Sequence, residues 1–274
     1  MCGPTASGKS ALADELADSL TQEHDSFVPT LVIDSMQVYR EIPEITNQRR
    51  RRLAELVGIV SVTEEWTVAR HRECAEEIIS KTRTPFVLDA GTGMYLNAII
   101  LDLPLAPQVD ATTRHLAQSL TSGATNLRRA ARQKELELAG APPRRSIWDG
   151  EMRYDSALVY LRPDNQSLDA AIHRRSEQIV MNGLEDAQKL TQFQKTDISA
   201  TVLDSIGVRE ILEYLCGRVT AEEATERIAT RTRQLARRQR RWFDKLARTV
   251  AGRVPTTVVT HLSDINTMHD RIWA

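Results

Sequence analysis

The sequence predicts an α/β fold, with helices layered on both faces of a parallel sheet and a small helical insertion. Three observations predict it. Short β-rich apolar runs alternate with segments of helical spacing, the pattern of a layered α/β domain. Residues 3–10 read Gly-Pro-Thr-Ala-Ser-Gly-Lys-Ser, a complete G-x-x-x-x-G-K-[ST] phosphate loop, which joins a strand to a helix. The length of 274 residues suits one or two domains with a real core.

Only Met1 and Cys2 precede the loop, so its supporting strand is expected to be very short or missing. Ala11 to Ala17 carries strong helix formers with apolar residues at helical spacing, predicting a helix directly behind the loop. Val28 to Ile33 is a strand candidate ending in Asp34-Ser35. Val68 to Lys81 has helical spacing. Pro85 to Leu88 is a second strand candidate, running into Asp89-Ala90-Gly91-Thr92-Gly93. Ser156 to Leu161 is a third and Val254 to Val259 a late one. Leu168 to Gln194 and Thr201 to Leu246 read as helical. Thr220 with Glu223 three residues on is a capping-box signature. Residues 104–150 differ, being helical in pattern, arginine-rich and broken by Pro142-Pro143. They are expected to form the insertion, leaving 1–103 and 151–274 as one core. The phosphate loop makes that core a P-loop NTPase-like layered α/β/α domain. Ligands of such sheets sit at the carboxyl ends of the strands, where Asp34 and Gly91-Thr92-Gly93 fall.

Lysine plus arginine number 36 and aspartate plus glutamate 37, for a net charge of −1. That excludes a global basic field, so any nucleic-acid surface must be a local patch. Cys2, Cys74 and Cys216 are scattered and read as free thiols in a reducing compartment. His24, His71, His115, His173, His261 and His269 show no metal-ligand spacing, and nothing resembles a nucleophilic triad. No secretory leader precedes the loop and no apolar run nears a membrane span. A soluble cytoplasmic monomer with no membrane partner is expected.

The candidate binding residues begin with Gly3, Pro4, Thr5, Ala6, Ser7, Gly8, Lys9 and Ser10. Backbone N–H groups and a helix N-terminus converge there on phosphate or pyrophosphate. Lys9 can lie along the phosphate oxygens and the Ser10 hydroxyl can hold Mg2+, the expected cofactor. The motif leaves open which phosphate-bearing molecule binds. Asp34-Ser35-Met36-Gln37 offers a carboxylate for general-base work or a metal, and an amide that can read an adenine edge; equally, Asp34 could cap the next helix. In Gly91-Thr92-Gly93, two glycines around a threonine allow close approach to an anion, and Asp89 could bind magnesium. From Arg227 to Arg241 there are seven arginines in fifteen residues and no acid, followed by Trp242 and Phe243. The run suits a phosphate backbone or a stacked base, or a plain solvated face. Arg128, Arg129, Arg132 and Lys134 form a second basic cluster. The run Arg49 to Arg52 reads as a solvated helix start, and Trp66, Trp148, Trp242 and Trp273 as packing residues.

These motifs together resemble the tRNA dimethylallyltransferase (tRNA isopentenyltransferase) family. Residues 3–10 are similar to its GPTASGK[ST] loop and Asp34 to Arg40 to its DSxQVYR motif. Gly91 to Leu96 is similar to its GGTGLYL turn, and Ile206 to Glu210 to its IGYRE segment. Thr232 to Phe243 resembles its TRxxAxRQxxWF signature. The chain departs from the pattern at Gln48, where the family has lysine, at Ala90 and Val208, and in a shortened insertion. The resemblance implies transfer of a dimethylallyl group from dimethylallyl diphosphate to N6 of the adenosine beside the anticodon of tRNA, with release of pyrophosphate. It implies Asp34, Thr92 and Arg209 as catalytic residues, Arg209 adding to the leaving-group clamp. It also implies contacts to the tRNA anticodon stem-loop from Asp34, Ser35, Met36, Gln37, Thr92, Arg128, Arg129, Arg132, Arg233, Arg237, Arg238 and Gln239. The alternatives are a prenyltransferase acting on a free adenine nucleotide, a small-molecule kinase using ATP in the loop, and a catalytically silent RNA-binding protein.

Overall fold

The computed structural model describes all residues except 104, 106, 108, 124–126, 141–145 and 261–274, together with the side chains of 111, 128 and 129. Pro142-Pro143, His261, His269 and Trp273 lie outside the described residues. Helix α1 (Lys9–Glu23) follows the phosphate loop, as its composition predicts. Then come β1 (Thr30–Ile33), the short α2 (Pro43–Thr46), α3 (Val68–Lys81), β2 (Val87–Ala90) and α4 (Gly93–Ile100). Helices α5 (Ala111–Leu120) and α6 (Leu127–Leu138) precede β3 (Leu158–Leu161). The chain continues through α7 (Asn165–Asn182), α8 (Leu184–Leu190), α9 (Ala200–Leu203), α10 (Val208–Leu215), α11 (Ala221–Val250) and β4 (Thr256–Val259).

Strands β1 and β2 pair in parallel, as do β3 and β4. Met1 and Cys2 stand between the two pairs. Ala90 N–H donates to the Met1 carbonyl (3.0 Å), Cys2 N–H to Val159 (2.8 Å) and Leu161 N–H to the Cys2 carbonyl (2.8 Å). Met1 and Cys2 thus stand in the place of the loop's supporting strand. Cys2 bridges Ala90 and Tyr160 in parallel and joins the pairs in the order β1, β2, Met1–Cys2, β3, β4. Cys2 is fully buried there, and burial pushes its thiol up to about 12, which suits a packing role.

The sheet's faces are apolar because parallel strands are covered on both sides. β1 and β3 are buried along their whole length. One core cluster packs Leu12, Ala13, Ala17 and Leu20 of α1 against Val87, Val159 and Leu161. A larger one gathers Leu31, Ile33, Leu96, Ile99, Tyr160, Ile211, Ile228 and Phe243 on the other side. Helix α3 has the predicted limits, with the Thr67 side chain accepting from Arg70 N–H as its cap. The Thr220–Glu223 capping box opens α11.

Two long helical expectations break. Leu168 to Gln194 divides at Gly183 and Thr201 to Leu246 divides into α9, α10 and α11. Gly183 and Gly207 lie against Ile45 and Ile179, so these breaks let α2 pack into the angle between α7, α8 and α10. Two side chains pin α2 from outside. Glu44 N–H and Ile45 N–H donate to Asp186 Oδ2 (2.8 and 3.0 Å), and Arg175 Nη2 donates to the Glu44 and Ile45 carbonyls (2.8 and 3.2 Å). In the arginine-rich segment, α5 and α6 pack on each other. No described helix is long and apolar enough to cross a membrane.

Candidate active site

The carboxyl ends of β1, β2 and Met1–Cys2 open onto one cavity of about 1090 Å³. Thr5 to Ser10, Asp34 to Gln37, Gly91 to Met94, and Arg238, Gln239 and Trp242 of α11 all line it. Segments scattered over most of the sequence thus meet at one place. Within the loop, Ala6 and Gly8 have left-handed backbones, with φ 61° and 83°. Such residues alternate in nests whose N–H groups converge on an anion. The left-handed region costs a non-glycine residue about 1 kcal/mol, so holding Ala6 there requires the surrounding loop.

Gln239 ties two of these segments together. It accepts from Thr5 N–H (2.9 Å) and donates to the Gly91 carbonyl (2.8 Å). A Cβ on Gly91 would lie 2.6 Å from Asp34 Oδ2 and 3.5 Å from Lys9 Cε. The absence of a side chain at Gly91 therefore lets the Asp34 carboxylate and the Lys9 chain face each other across it. Gly93 has the same need, because any Cβ there would overlap the Trp242 ring. Trp242 donates to Asn97 Oδ1 (3.2 Å), while Asn97 donates to the Ile147 carbonyl (3.0 Å). Trp148 lies against Trp242 with ring centroids 5.0 Å apart. The two tryptophans pack, as expected, and Trp242 is also a wall of the cavity.

The two readings of Asp34 are both realised, on different oxygens. Oδ1 accepts from Met36 N–H (2.8 Å) and Gln37 N–H (3.3 Å), capping a tight turn. Oδ2 takes no part in that cap and faces Gly91. Thr92 Oγ1 accepts from Ser35 N–H (3.2 Å), locking the β1 turn to the β2 turn. Gln37 is 6% exposed and its Oε1 is buried with no hydrogen-bond partner, as is Ser7 Oγ. Unpaired buried acceptors are costly, and Gln37 is one of the residues lining the cavity.

Asp89 is 1% exposed at the end of β2. Its Oδ2 accepts from Arg50 Nη1 (2.5 Å) and its Oδ1 has no partner. Burial alone would raise this carboxyl, but Lys9, Arg50 and Ser10 together hold it below the ordinary value. No group of three or more His, Cys, Asp or Glu side chains is poised for a metal among the described residues. Magnesium does not require one, because it retains waters and binds through one or two carboxylates and substrate phosphates. The orphaned Asp89 oxygen beside the Ser10 hydroxyl fits that donor set.

Arg209 does not join this cavity. It lies on α10 with its side chain 74% exposed, and its Nε donates to Glu213 Oε1 at 3.0 Å. It lines an adjoining cleft of about 520 Å³ with Glu210, Arg227 and Arg231, which shares Asp204 and Arg231 with the main cavity. The clamp position implied for Arg209 thus lies at the neighbouring cleft, where Glu213, one helical turn on, pairs with its guanidinium. The arginine run of α11 needs a similar correction. No acid occurs within it, yet neighbouring elements supply several. Arg227 pairs with Glu213 (2.8 Å), Arg231 with Glu210 (2.6 Å) and Arg233 with Asp169 (2.5 Å) and Glu226 (2.9 Å). Among the described residues, Arg237, Arg238, Arg240 and Arg241 carry no ion pair, and of these Arg238 lines the cavity. Arg132 of α6 donates to Glu135 and to the Pro107 carbonyl (both 2.7 Å). The side chains of Arg128 and Arg129 lie outside the described residues.

Sequence reasoning missed two arginines. The run Arg49 to Arg52 is no solvated helix start. Arg50 is 4% exposed and paired with Asp14 and Asp89, and Arg52 pairs with Asp18 and donates to the Val28 carbonyl (2.8 Å). Arg175 also lines the cavity, and burial pushes its guanidinium down to about 10. The run of four arginines signalled the first, but only tertiary pairing separates Arg50 from its neighbours. Nothing in the local sequence marks Arg175.

A model of the family described as IPP transferase matches residues 37–246. The chain is 56% identical to the tRNA dimethylallyltransferase of Rubrobacter xylanophilus, over 100% of this chain and 97% of that protein. It is 30% identical to the tRNA dimethylallyltransferase of Corynebacterium efficiens, over 89% of this chain and 90% of the relative. Among solved structures it is similar to the full-length tRNA isopentenylpyrophosphate transferase of Bacillus halodurans. That match has a TM-score of 0.70 and 26% identity, covering 98% of this chain and 93% of the other.

Proposed function

The chain belongs to the IPP transferase family, and on that premise we propose that it transfers a dimethylallyl group from dimethylallyl diphosphate to N6 of an adenine in tRNA, the adenosine beside the anticodon. It is an enzyme, a prenyltransferase, and pyrophosphate is its second product. One observation carries the reading. The phosphate loop, Asp34, Gln37 and Thr92 line a single cavity, so an anion cradle and a polar wall adjoin.

In this reading the diphosphate occupies the loop, where N–H groups and Lys9 stabilise the charge that develops as it departs. The adenine N6 amine attacks the allylic carbon, the carbon–oxygen bond to diphosphate breaks, and the N6 proton passes to Asp34 Oδ2. Gln37 Oε1 accepts a hydrogen bond from the flipped-out base. Thr92 fixes Asp34 through the Ser35 link. Ser10 and Asp89 would hold Mg2+, and the ion, when bound, would neutralise charge on the leaving group. Arg238 and Arg237 meet the RNA backbone from α11, with Arg128, Arg129 and Arg132 of α6 approaching the anticodon stem-loop. The enzyme acts as a cytoplasmic monomer.

The test is incubation with labelled dimethylallyl diphosphate, magnesium and either total tRNA or AMP. Label in tRNA and stoichiometric pyrophosphate are expected. The pairing of Arg227, Arg231 and Arg233 with carboxylates favours, as a second reading, a free adenine nucleotide as acceptor, and label in AMP alone would establish it. ATP turnover without prenyl transfer would establish a kinase instead.

A further inference from the structure

Three buried charges meet beside the phosphate loop. The side chains of Asp14 on α1, Arg50 after α2 and Asp89 on β2 are 3%, 4% and 1% exposed. Arg50 donates to Asp14 Oδ1 (2.6 Å), to Asp89 Oδ2 (2.5 Å) and to the Ser10 carbonyl (3.2 Å). Asp89 Oδ1 remains without a partner in the same buried place. Lys9 and Arg50 thus offset Asp14 and Asp89, while Asp34 also faces Lys9 across Gly91, so the carboxylates are largely compensated before any ligand arrives. A divalent cation entering alone would gain one carboxylate oxygen and the Ser10 hydroxyl. It would also meet two fixed positive charges where water screens poorly. A diphosphate reverses that balance, because its oxygens attract the cation and the two basic side chains together.

We propose that Arg50 makes cation binding conditional on diphosphate: it holds one oxygen of Asp89 and adds a fixed positive charge, so magnesium enters the site with the diphosphate and not before it. The inference rests on the reading of the loop as the diphosphate site. Arg50 is a positioning residue in this scheme, because it acts through Asp89: its Nη1 and Nη2 groups hold Asp14, Asp89 and the Ser10 carbonyl, while its Nε has no partner. Linkage then requires the cation to tighten diphosphate by the same factor that diphosphate tightens the cation.

The experiment follows Mn2+, as the magnesium probe, by the broadened spin-resonance spectrum of its protein-bound form, using the full chain. The wild type should bind Mn2+ weakly alone and about tenfold tighter with inorganic pyrophosphate. Arg50→Met should bind Mn2+ alone about tenfold tighter than the wild type, and adding Asp89→Asn to it should erase that gain. Arg50→Lys, which keeps the charge, should follow the wild type. Equal Mn2+ affinities for the wild type and Arg50→Met without pyrophosphate would overturn the proposal. Arg50→Met leaves two buried carboxylates unpaired and can fail to fold. In that event Asp89→Asn decides: it should weaken Mn2+ binding in the presence of pyrophosphate by about tenfold, and an unchanged affinity overturns the role. Calorimetric titration of metal-free pyrophosphate into the wild type and Lys9→Ala tests the underlying site separately. No binding there sinks the diphosphate reading itself, whereas binding there with unaltered Mn2+ behaviour sinks only the role of Arg50.

Discussion

The diphosphate end of the cavity and the arginine face of α11 are both polar, yet they are built in opposite ways. At the diphosphate end, each functional group is held by a partner that leaves one atom free. Asp34 caps its turn through Oδ1 and keeps Oδ2; Asp89 takes Arg50 through Oδ2 and keeps Oδ1. Along α11, Arg227, Arg231 and Arg233 are instead matched by carboxylates from α7, α10 or α11 itself, while Arg237, Arg238, Arg240 and Arg241 are not. Charge density in the sequence is therefore a poor guide to available charge, whereas the spacing of the diphosphate motifs survives into geometry. A preorganised site acts by fixed dipoles, while a paired surface arginine must give up its partner before it meets a phosphate.

Six substitutions at five positions sharpen this contrast, and their expected effects fall in order. Asp34→Ala should lower single-turnover prenyl transfer by about a thousandfold, the range for loss of a general base. Asp34→Asn should lose similar activity while keeping the turn's cap, so only the alanine variant loses about 1 kcal/mol of stability in urea melts. Near-wild-type turnover of either would remove Asp34 from the chemistry. Lys9→Ala should reduce kcat/KM for dimethylallyl diphosphate by about a hundredfold, with tRNA binding unchanged in gel shifts.

Gly93→Ala should force Trp242 out of its seat against α4, at a cost of about 1–3 kcal/mol; an unaltered melting curve would show that the Trp242 contact is slack. The smallest effects concern the arginines. Arg238→Ala, which removes an unpaired cation, should weaken tRNA binding and reduce its logarithmic salt slope by about one. Arg233→Ala, whose charge is shared by Asp169 and Glu226, should change the slope less. Equal losses from the two would mean that the ion pairs do not govern RNA contact.

Much of the site was legible in the sequence because its parts are local. A phosphate loop needs eight consecutive residues, and the Asp34 and Gly91 turns follow β-rich runs directly, so spacing alone placed them at strand ends. Helix α3 and the Thr220 capping box were legible for the same reason. The illegible parts depend on long-range partners. Cys2 pairs with both β2 and β3, and no local pattern announces that. Arg50 looks like its exposed neighbours until Asp14 and Asp89 arrive from two other elements. The pairing of Arg209 with Glu213 at the neighbouring cleft is likewise set by the fold. Gly183 and Gly207 interrupt helical spacing because Ile45 must fit against them, a demand set by α2 from elsewhere in the chain.

The claim on which the account turns is that the glycine loop grips the diphosphate of an allylic donor. Calorimetric titration of dimethylallyl diphosphate with magnesium, in the absence of RNA, tests it most directly. The wild type should bind one equivalent, Lys9→Ala should bind far more weakly, and Asp34→Asn should bind as the wild type does. Heats indistinguishable from dilution for the wild type at saturating donor, or equal affinity in Lys9→Ala, would contradict it.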